Sequence, residues 1–327
     1  MRVVADPDTT QDAAMGGWTV RPTTPDDVPA VHALHEQEHQ RLVGRAFPLP
    51  LETMTHMYAG PAWDRELDLT TVELDGVLVA CATVIATPPY SEVLVHVGFA
   101  GSLGPDRVAS ALALLVDRGE QAARSRLGDA DLEGHQLAIE ALQANDVLGG
   151  ALRSMGFDVG RRTYTMEMRL APGFPRPTWP EGVTLRPWDR ERDLDDVIDV
   201  LSAAFADHHG DSVIERDRVE HMLASDGIRH ELTFIACDVD GPVGAVFAHD
   251  RPDHGLITSL GVLRRARGRG VARTLLLESL AGFAATGTTL VCLDVDADSV
   301  TGATRLYEGV GMHPAVVHDL WFRPLSH

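Results

Sequence analysis

The chain repeats itself at a spacing of 165 residues, and no other feature constrains its architecture as strongly. Thr19-Val20-Arg21-Pro22 returns as Thr184-Leu185-Arg186-Pro187. An acidic, helix-like stretch follows each copy, through Asp26-Asp27-Val28 in the first and Asp195-Asp196-Val197 in the second. Two β-rich runs then meet at Asp-Gly. Leu69 to Leu74 and Val77 to Ile85 flank Asp75-Gly76; Leu232 to Val239 and Pro242 to Ala248 flank Asp240-Gly241. Asp-Gly between such runs is a hairpin signal, because both central turn positions need positive φ. Two long copies of one pattern imply two domains, whereas a solenoid needs several shorter units.

Each copy nears its end on a helix closed by Gly and a large apolar residue, Met155-Gly156-Phe157 and Val310-Gly311-Met312. Gly there supplies the left-handed cap. A final strand follows each, Arg162 to Leu170 and Ala315 to Pro324. Both copies therefore predict the order β-α-α-β-β-β-α-β-α-β. Between them, Ala171-Pro172-Gly173-Phe174-Pro175-Arg176-Pro177 opens a Pro-rich, semi-rigid linker. The expected division is a disordered leader over 1–17, an N-terminal domain over 18–171, the linker over 172–182 and a C-terminal domain over 183–327. Each half is long enough to bury a core of its own.

The net charge of −20 argues against general nucleic-acid binding, which needs clustered cations, and weakly favours a cationic substrate such as an amine. All 28 basic side chains are Arg, so the protein has no lysine to acetylate on itself. No run of 18 or more apolar residues occurs, so no membrane span is expected. Met1 to Gly17 carries Asp6, Asp8 and Asp12 without an apolar segment, unlike a signal peptide. Cys81, Cys237 and Cys292 are widely spaced and odd in number, the pattern of reduced thiols in a cytoplasmic protein.

The sharpest chemistry lies in Ser259 to Ala272, which runs from a strand (Leu256 to Val262) through an Arg/Gly loop into a helix. Ala272, Leu276, Leu280 and Phe283 give that helix an apolar stripe. Gly268, Gly270 and Ala272 let a ligand approach the backbone, and the helix N-terminus offers N–H groups and positive dipole to a pyrophosphate. A dinucleotide-binding G-x-G-x-x-G with an acidic residue about 20 positions on is not present.

Arg267-Gly268-Arg269-Gly270-Val271-Ala272 resembles the first motif of the GNAT (N-acetyltransferase) superfamily, Gln/Arg-x-x-Gly-x-Gly/Ala. Arg265 to Gly270 also matches, but the later register puts Val262 at the family's strand-end valine. Farther on, Asp298 to Met312 is similar to the second motif, Asn-x-x-Ala-x-x-Leu-Tyr-x-x-x-Gly-Phe, with Ser299 near the Asn and Met312 at the Phe. The tandem layout is similar to that of the mycothiol synthases within the family. The resemblance implies an α/β protein of two tandem domains, each a central, mostly antiparallel mixed sheet flanked by helices. It implies acetyl-CoA as cosubstrate and direct attack by a small-molecule amine. The backbone of Leu260, Gly261 and Val262 should then pair with the pantetheine arm, and one N–H there should polarise the thioester carbonyl. The amides from Arg267 through Gly268, Arg269, Gly270, Val271 and Ala272 to Arg273 should hold the pyrophosphate. A monomer or homodimer is expected.

Tyr307 takes the family's general-acid position. The base is open: many relatives carry Glu where Leu256 stands, which departs from the family and from mycothiol synthases alike. His254, two residues earlier, shares its face by strand periodicity. His208 and His209 follow the first helix of the second copy; His254 and His209 are the stronger candidates, Asp250 and Asp296 the weaker. The non-enzyme alternative is a CoA-binding regulatory or scaffold protein.

The first copy lacks this equipment. Val97 to Asp106 has no such motif, Asp106 would set a carboxylate near a pyrophosphate, and Leu152 stands opposite Tyr307. Gly101 and Gly104 leave room for weak CoA binding. His32, His35 and His39 share a helix face, a stripe expected to be solvated or to line a cleft and not to hold a metal.

Overall fold

The computed structural model describes residues 17–325 except 48, 61–62, 129–131, 207–215, 217–218, 221–222, 224–226, 252 and 300, and leaves the Arg190 side chain undescribed. The expected leader therefore lies almost wholly outside the described residues. Two compact units emerge, one of Met1–Val159 with Leu320–His327, the other of Gly160–Asp319.

In unit 1, β1 (Trp18–Pro22) leads to helices α1 (Val28–Val43), α2 (Leu51–Ala59) and α3 (Arg65–Asp68). Next come β2 (Leu69–Leu74), β3 (Val77–Ala86), β4 (Glu92–Phe99), α4 (Pro105–Leu127), β5 (Gln136–Leu142) and α5 (Asp146–Ser154). Strands β1 to β4 pair antiparallel in sequence order, and β4 and β5 run parallel. Asp75 and Gly76 take φ of 53° and 77°, the double positive φ that the Asp-Gly hairpin requires. Helix α4 buries Val108, Leu112 and Leu115 among the strand residues Val84, Val95 and Ile139.

Unit 2 repeats the plan. It holds most of β6 (Asp158–Arg169), then β7 (Thr184–Pro187), α6 (Arg190–Phe205), β8 (Phe234–Asp238), β9 (Gly241–Asp250) and β10 (Gly255–Val262). Helix α7 (Val271–Ala285), β11 (Leu290–Asp296), α8 (Ala303–Glu308) and the first part of β12 (His313–Pro324), as far as Asp319, complete it. Strands β7 to β10 pair antiparallel, β10 and β11 parallel. Alternation along β9 sorts its two faces: Val246 and Ala248 join the core under α7, with Leu276, Leu280 and Phe283, while Ala245 and Phe247 join the core under α6, with Val197 and Leu201. Burying each such large side chain is worth about 1.5–3 kcal/mol, so the two faces fix both helices on the sheet.

The repeated Arg of Thr-x-Arg-Pro has one job in both copies. Arg21 pairs with Asp27 at 2.6 Å and Arg186 with Asp193 at 2.8 Å, tying the first strand to the start of the following helix.

The final strands depart from the expected division. Thr163 to Arg169 of β6, assigned by sequence to the first copy, pairs antiparallel with β11 in unit 2. Leu320 to Leu325, assigned to the second copy, packs in unit 1: Trp321 and Leu325 join its core, and Leu325 N donates to His135 O at 2.9 Å. The linker stays with unit 2, where Phe174 and Trp179 pack on the α7 core and Arg176 pairs with the buried Glu278 of α7.

Candidate active site

Strand β10 is the spine of the site. It pairs with β11 only at Gly255 and Leu256, opposite Val291 and Cys292, and parts from it beyond. On its other edge the register with β9 shifts between Ile257 and Ser259, leaving Thr258 as an extra residue. A bulge bends its strand and sharpens local twist, which accounts for the parting of β10 from β11 at this point. The backbone from Ser259 to Val262 is therefore not paired with β11 and borders a wedge between the two strands. In unit 1 the register from Ala80–Phe99 to Ala86–Val93 is unbroken and β4 stays paired with β5 from Glu92 to His96.

Gly261 occupies its place for packing as well as chain freedom: a Cβ there would lie 3.0 Å from both Ala204 Cβ and Leu201 Cδ2 of α6. Leu260 and Val262 face the α7 core. Beyond Val262 the chain makes a short 3₁₀ turn, Arg264–Ala266, and the exposed turn Gly268–Gly270 before α7 begins. Gly268 and Gly270 take φ of 78° and 82°, conformations that carry a steric cost for other residues. Helix α7 has no side-chain cap; its first intrahelical bond runs from Thr274 N to Gly270 O at 3.0 Å. The amides of Val271, Ala272 and Arg273 thus point outward at the positive end of the dipole.

Arg267 departs from the expected amide cradle. The Arg267 amide is already used, donating to Arg264 O at 3.2 Å. Its guanidinium donates from Nε to Val262 O at 3.3 Å and from Nη2 to Ala204 O at 3.1 Å. Its amide is therefore taken, and the turn Gly268–Gly270 with the start of α7 is what remains open to a ligand. Arg265 and Arg269 both reach Asp238, at 2.7 and 3.3 Å.

Tyr307 lies in α8, buried within the core that includes Leu260, Val262 and Val295. Burial pushes its phenol up to about 12, so it stays a proton donor throughout the neutral range. Ser299 sits before α8 with its hydroxyl 2.9 Å from that of Thr301.

The expected bases fare differently. His254 is in the β9–β10 turn, 2.6 Å from Asp253. That is four residues short of Thr258 at the bulge, or roughly 13 Å along a strand. It is therefore out of proton-transfer reach of the wedge: strand periodicity put it on the face of Leu256, but the turn intervenes. His208 and His209 lie outside the described residues. Asp250 is occupied by Arg229 at 2.8 Å, and Asp296 accepts from Asp298 N at 3.0 Å. A buried histidine that the sequence reading passed over is His249, whose Nδ1 is 3.1 Å from Thr258 Oγ1 at the bulge. Its signal was faint, one histidine closing the apolar run Val243 to Ala248.

The matching end of β4 in unit 1 is built otherwise. A cavity of about 140 Å³ there is lined by Glu38, Arg41, Phe99, Gly101 and Asn145, among others. Asn145 donates to Glu38 at 2.6 Å, burial holds the Glu38 carboxyl above its usual range, and Asp106 stands in the first turn of α4. The histidine stripe of α1 grips the following loop. His32 reaches Leu49 O, His39 reaches Arg45 O, and His35 stacks on Phe47; no metal cluster occurs among the described residues.

Residues 194–312 match the model of the acetyltransferase (GNAT) family. The chain is 30% identical over 311 residues to a mycothiol acetyltransferase of Thermobispora bispora, covering 88% of this chain and 93% of that one. A GCN5-related N-acetyltransferase from Sphaerobacter thermophilus superposes with a TM-score of 0.77 at 26% identity, over 94% of this chain and 95% of that one. A tandem GNAT protein from the clavulanic acid biosynthesis pathway superposes at 0.71 with 16% identity, over 94% and 98%, which bears on the fold. No helix among the described residues is long and apolar enough to cross a membrane.

Proposed function

Because the chain belongs to the acetyltransferase (GNAT) family and is an N-acetyltransferase, we propose that unit 2 moves a short acyl group, acetyl foremost, from CoA to a small-molecule amine. One observation carries this: a strand parted from its neighbour leads directly into an uncapped helix N-terminus behind two left-handed glycines. An extended arm ending in a pyrophosphate fits that pairing of open strand edge and open amides.

In this reading the amides of Gly268 to Arg273 hold the pyrophosphate. Leu260, Gly261 and Val262 offer their backbone to the pantetheine arm, and Ser299 borders it. A strand N–H at the apex of the wedge polarises the thioester carbonyl, a contribution of about 3 kcal/mol for one such donor. Tyr307 gives its proton to the departing thiolate. Unit 1 is catalytically silent: Leu152 replaces the acid, and Glu38 and Asp106 set carboxylates where phosphates would bind. The enzyme acts in the cytoplasm as a monomer or homodimer, without nucleic acid or membrane.

A second, narrower reading is acetylation in the manner of the mycothiol acetyltransferase it resembles, favoured by identity extending over nearly the whole of that relative. Leu256, standing where Glu is usual, weighs on the other side. CoA-thiol release with a panel of aminosugars, amino-acid α-amines and polyamines tests the function. Turnover with one class supports it. Tight acetyl-CoA binding without turnover on any amine, alcohol or peptide N-terminus would leave a CoA-binding regulatory protein instead.

A further inference from the structure

We propose that Thr258 receives the proton of the attacking amine and relays its own hydroxyl proton to His249, which acts behind it as a positioning residue. The proposal rests on the reading of unit 2 as an N-acyltransferase and supplies the base that reading lacks.

The bulge makes the pair. Phe247 belongs to the α6 core, and by strand alternation His249 continues that face of β9. Register sets His249 opposite Leu256 and Ala248 opposite Ile257, but the next match is Phe247 with Ser259. The extra residue, Thr258, is thereby turned toward His249, with Oγ1 3.1 Å from Nδ1. Thr258 is also past the last β10–β11 pair, so it stands at the apex of the wedge. His249 itself is 2% exposed and cannot meet a substrate directly, whereas Thr258 is partly exposed. With its ring proton on Nε2, His249 accepts from the Thr258 hydroxyl at Nδ1, within the reach a general base needs.

The neutral amine forms a C–N bond to the acyl carbon. Its surplus proton passes to Thr258 Oγ1 while the hydroxyl proton passes to His249 Nδ1. The C–S bond breaks and the thiolate takes the Tyr307 proton. His249 then returns its proton through the Thr258 hydroxyl to solvent and the tyrosinate regains one, leaving amide and CoA thiol.

The test uses the full chain. Nitrogen-15 NMR of histidine-labelled protein without substrate should show His249 unprotonated at Nδ1, with that resonance shifted in Thr258→Val. A proton on Nδ1 overturns the relay. With the best amine of the panel, Thr258→Val and His249→Gln should each lower kcat by roughly 10²-fold, the double variant should lose no more than the worse single, and Thr258→Ser should restore most activity. The acetyl-CoA Kd should stay within about twofold. Should His249→Gln fail to fold, Thr258→Val, nearly isosteric and partly exposed, decides alone: turnover within twofold of wild type overturns the proposal. Losses that multiply in the double variant also overturn it. Wild-type inactivity across the whole panel would instead overturn the acyltransfer reading, and this proposal with it.

Discussion

Arg267 holds the end of β10 in place, its Nε donating to the Val262 carbonyl at 3.3 Å. The same guanidinium reaches Ala204 O, so one side chain joins the loop before α7, the strand edge and the end of α6. Arg267→Met leaves both carbonyls without this donor. Stability should fall by about 1–3 kcal/mol in denaturant titration, and the acetyl-CoA Kd should rise by roughly tenfold as the strand end loosens. Arg267→Lys, which lacks the planar fork, should recover only part of either loss.

Asp238 draws Arg265 and Arg269 toward itself and away from any bound phosphate. Asp238→Asn removes that competing charge. Acetyl-CoA should bind a few-fold tighter at low salt, and calorimetry in 0.5 M salt should show the gain largely gone, because mobile ions screen such charges. An equal gain at both salt levels would mean that the effect is not electrostatic.

Tyr307→Phe should lower kcat by roughly 10²-fold or more with little change in acetyl-CoA affinity. Because burial raises the phenol to about 12, the wild-type kcat profile should show no alkaline limb from Tyr307 below pH 10. Stability follows the same sign. The unfolded phenol ionises near 10 while the folded one does not, so this contribution is intact below 10 and is lost as pH rises toward 12.

His35 is the acid-sensitive point of unit 1. Burial, reinforced by His96 and His32, lowers its imidazole to about 4. The unfolded ring takes a proton near 6.5 and the folded one does not, so stability is full above 6.5 and is lost as pH falls toward 4. The loss amounts to about 3 kcal/mol at most. Denaturant titrations of wild type and His35→Leu between pH 4.5 and 7 should show a smaller pH slope in the variant.

Much of the architecture is legible in the sequence where a local constraint is strict. Asp75-Gly76 marks a hairpin because few residues tolerate its φ values, and Gly268 and Gly270 mark the turn before α7 for the same reason. Arg21 and Arg186 repeat because each must meet a carboxylate at the start of the next helix. Strand exchange is not legible. The alternation of Arg162 to Leu170 shows that a strand forms and which residues share a face, but is silent on which edge it joins; β11 offers as good an antiparallel partner as any in unit 1. The bulge at Thr258 is equally silent, since no Gly or Pro announces it. Without the bulge, His249 is one more residue of a buried strand, and His254 is the more attractive base.

The central claim is that unit 2, through the α7 N-terminus, is the acyl-CoA site. Isothermal titration of acetyl-CoA into wild type and Gly270→Glu tests it most directly. Glu at this position takes on left-handed strain and places a carboxylate at the mouth of the amide cradle. One site per chain is expected in the wild type and none in the variant, with circular dichroism showing both proteins folded. Two sites, or one that survives Gly270→Glu in a folded protein, would contradict it.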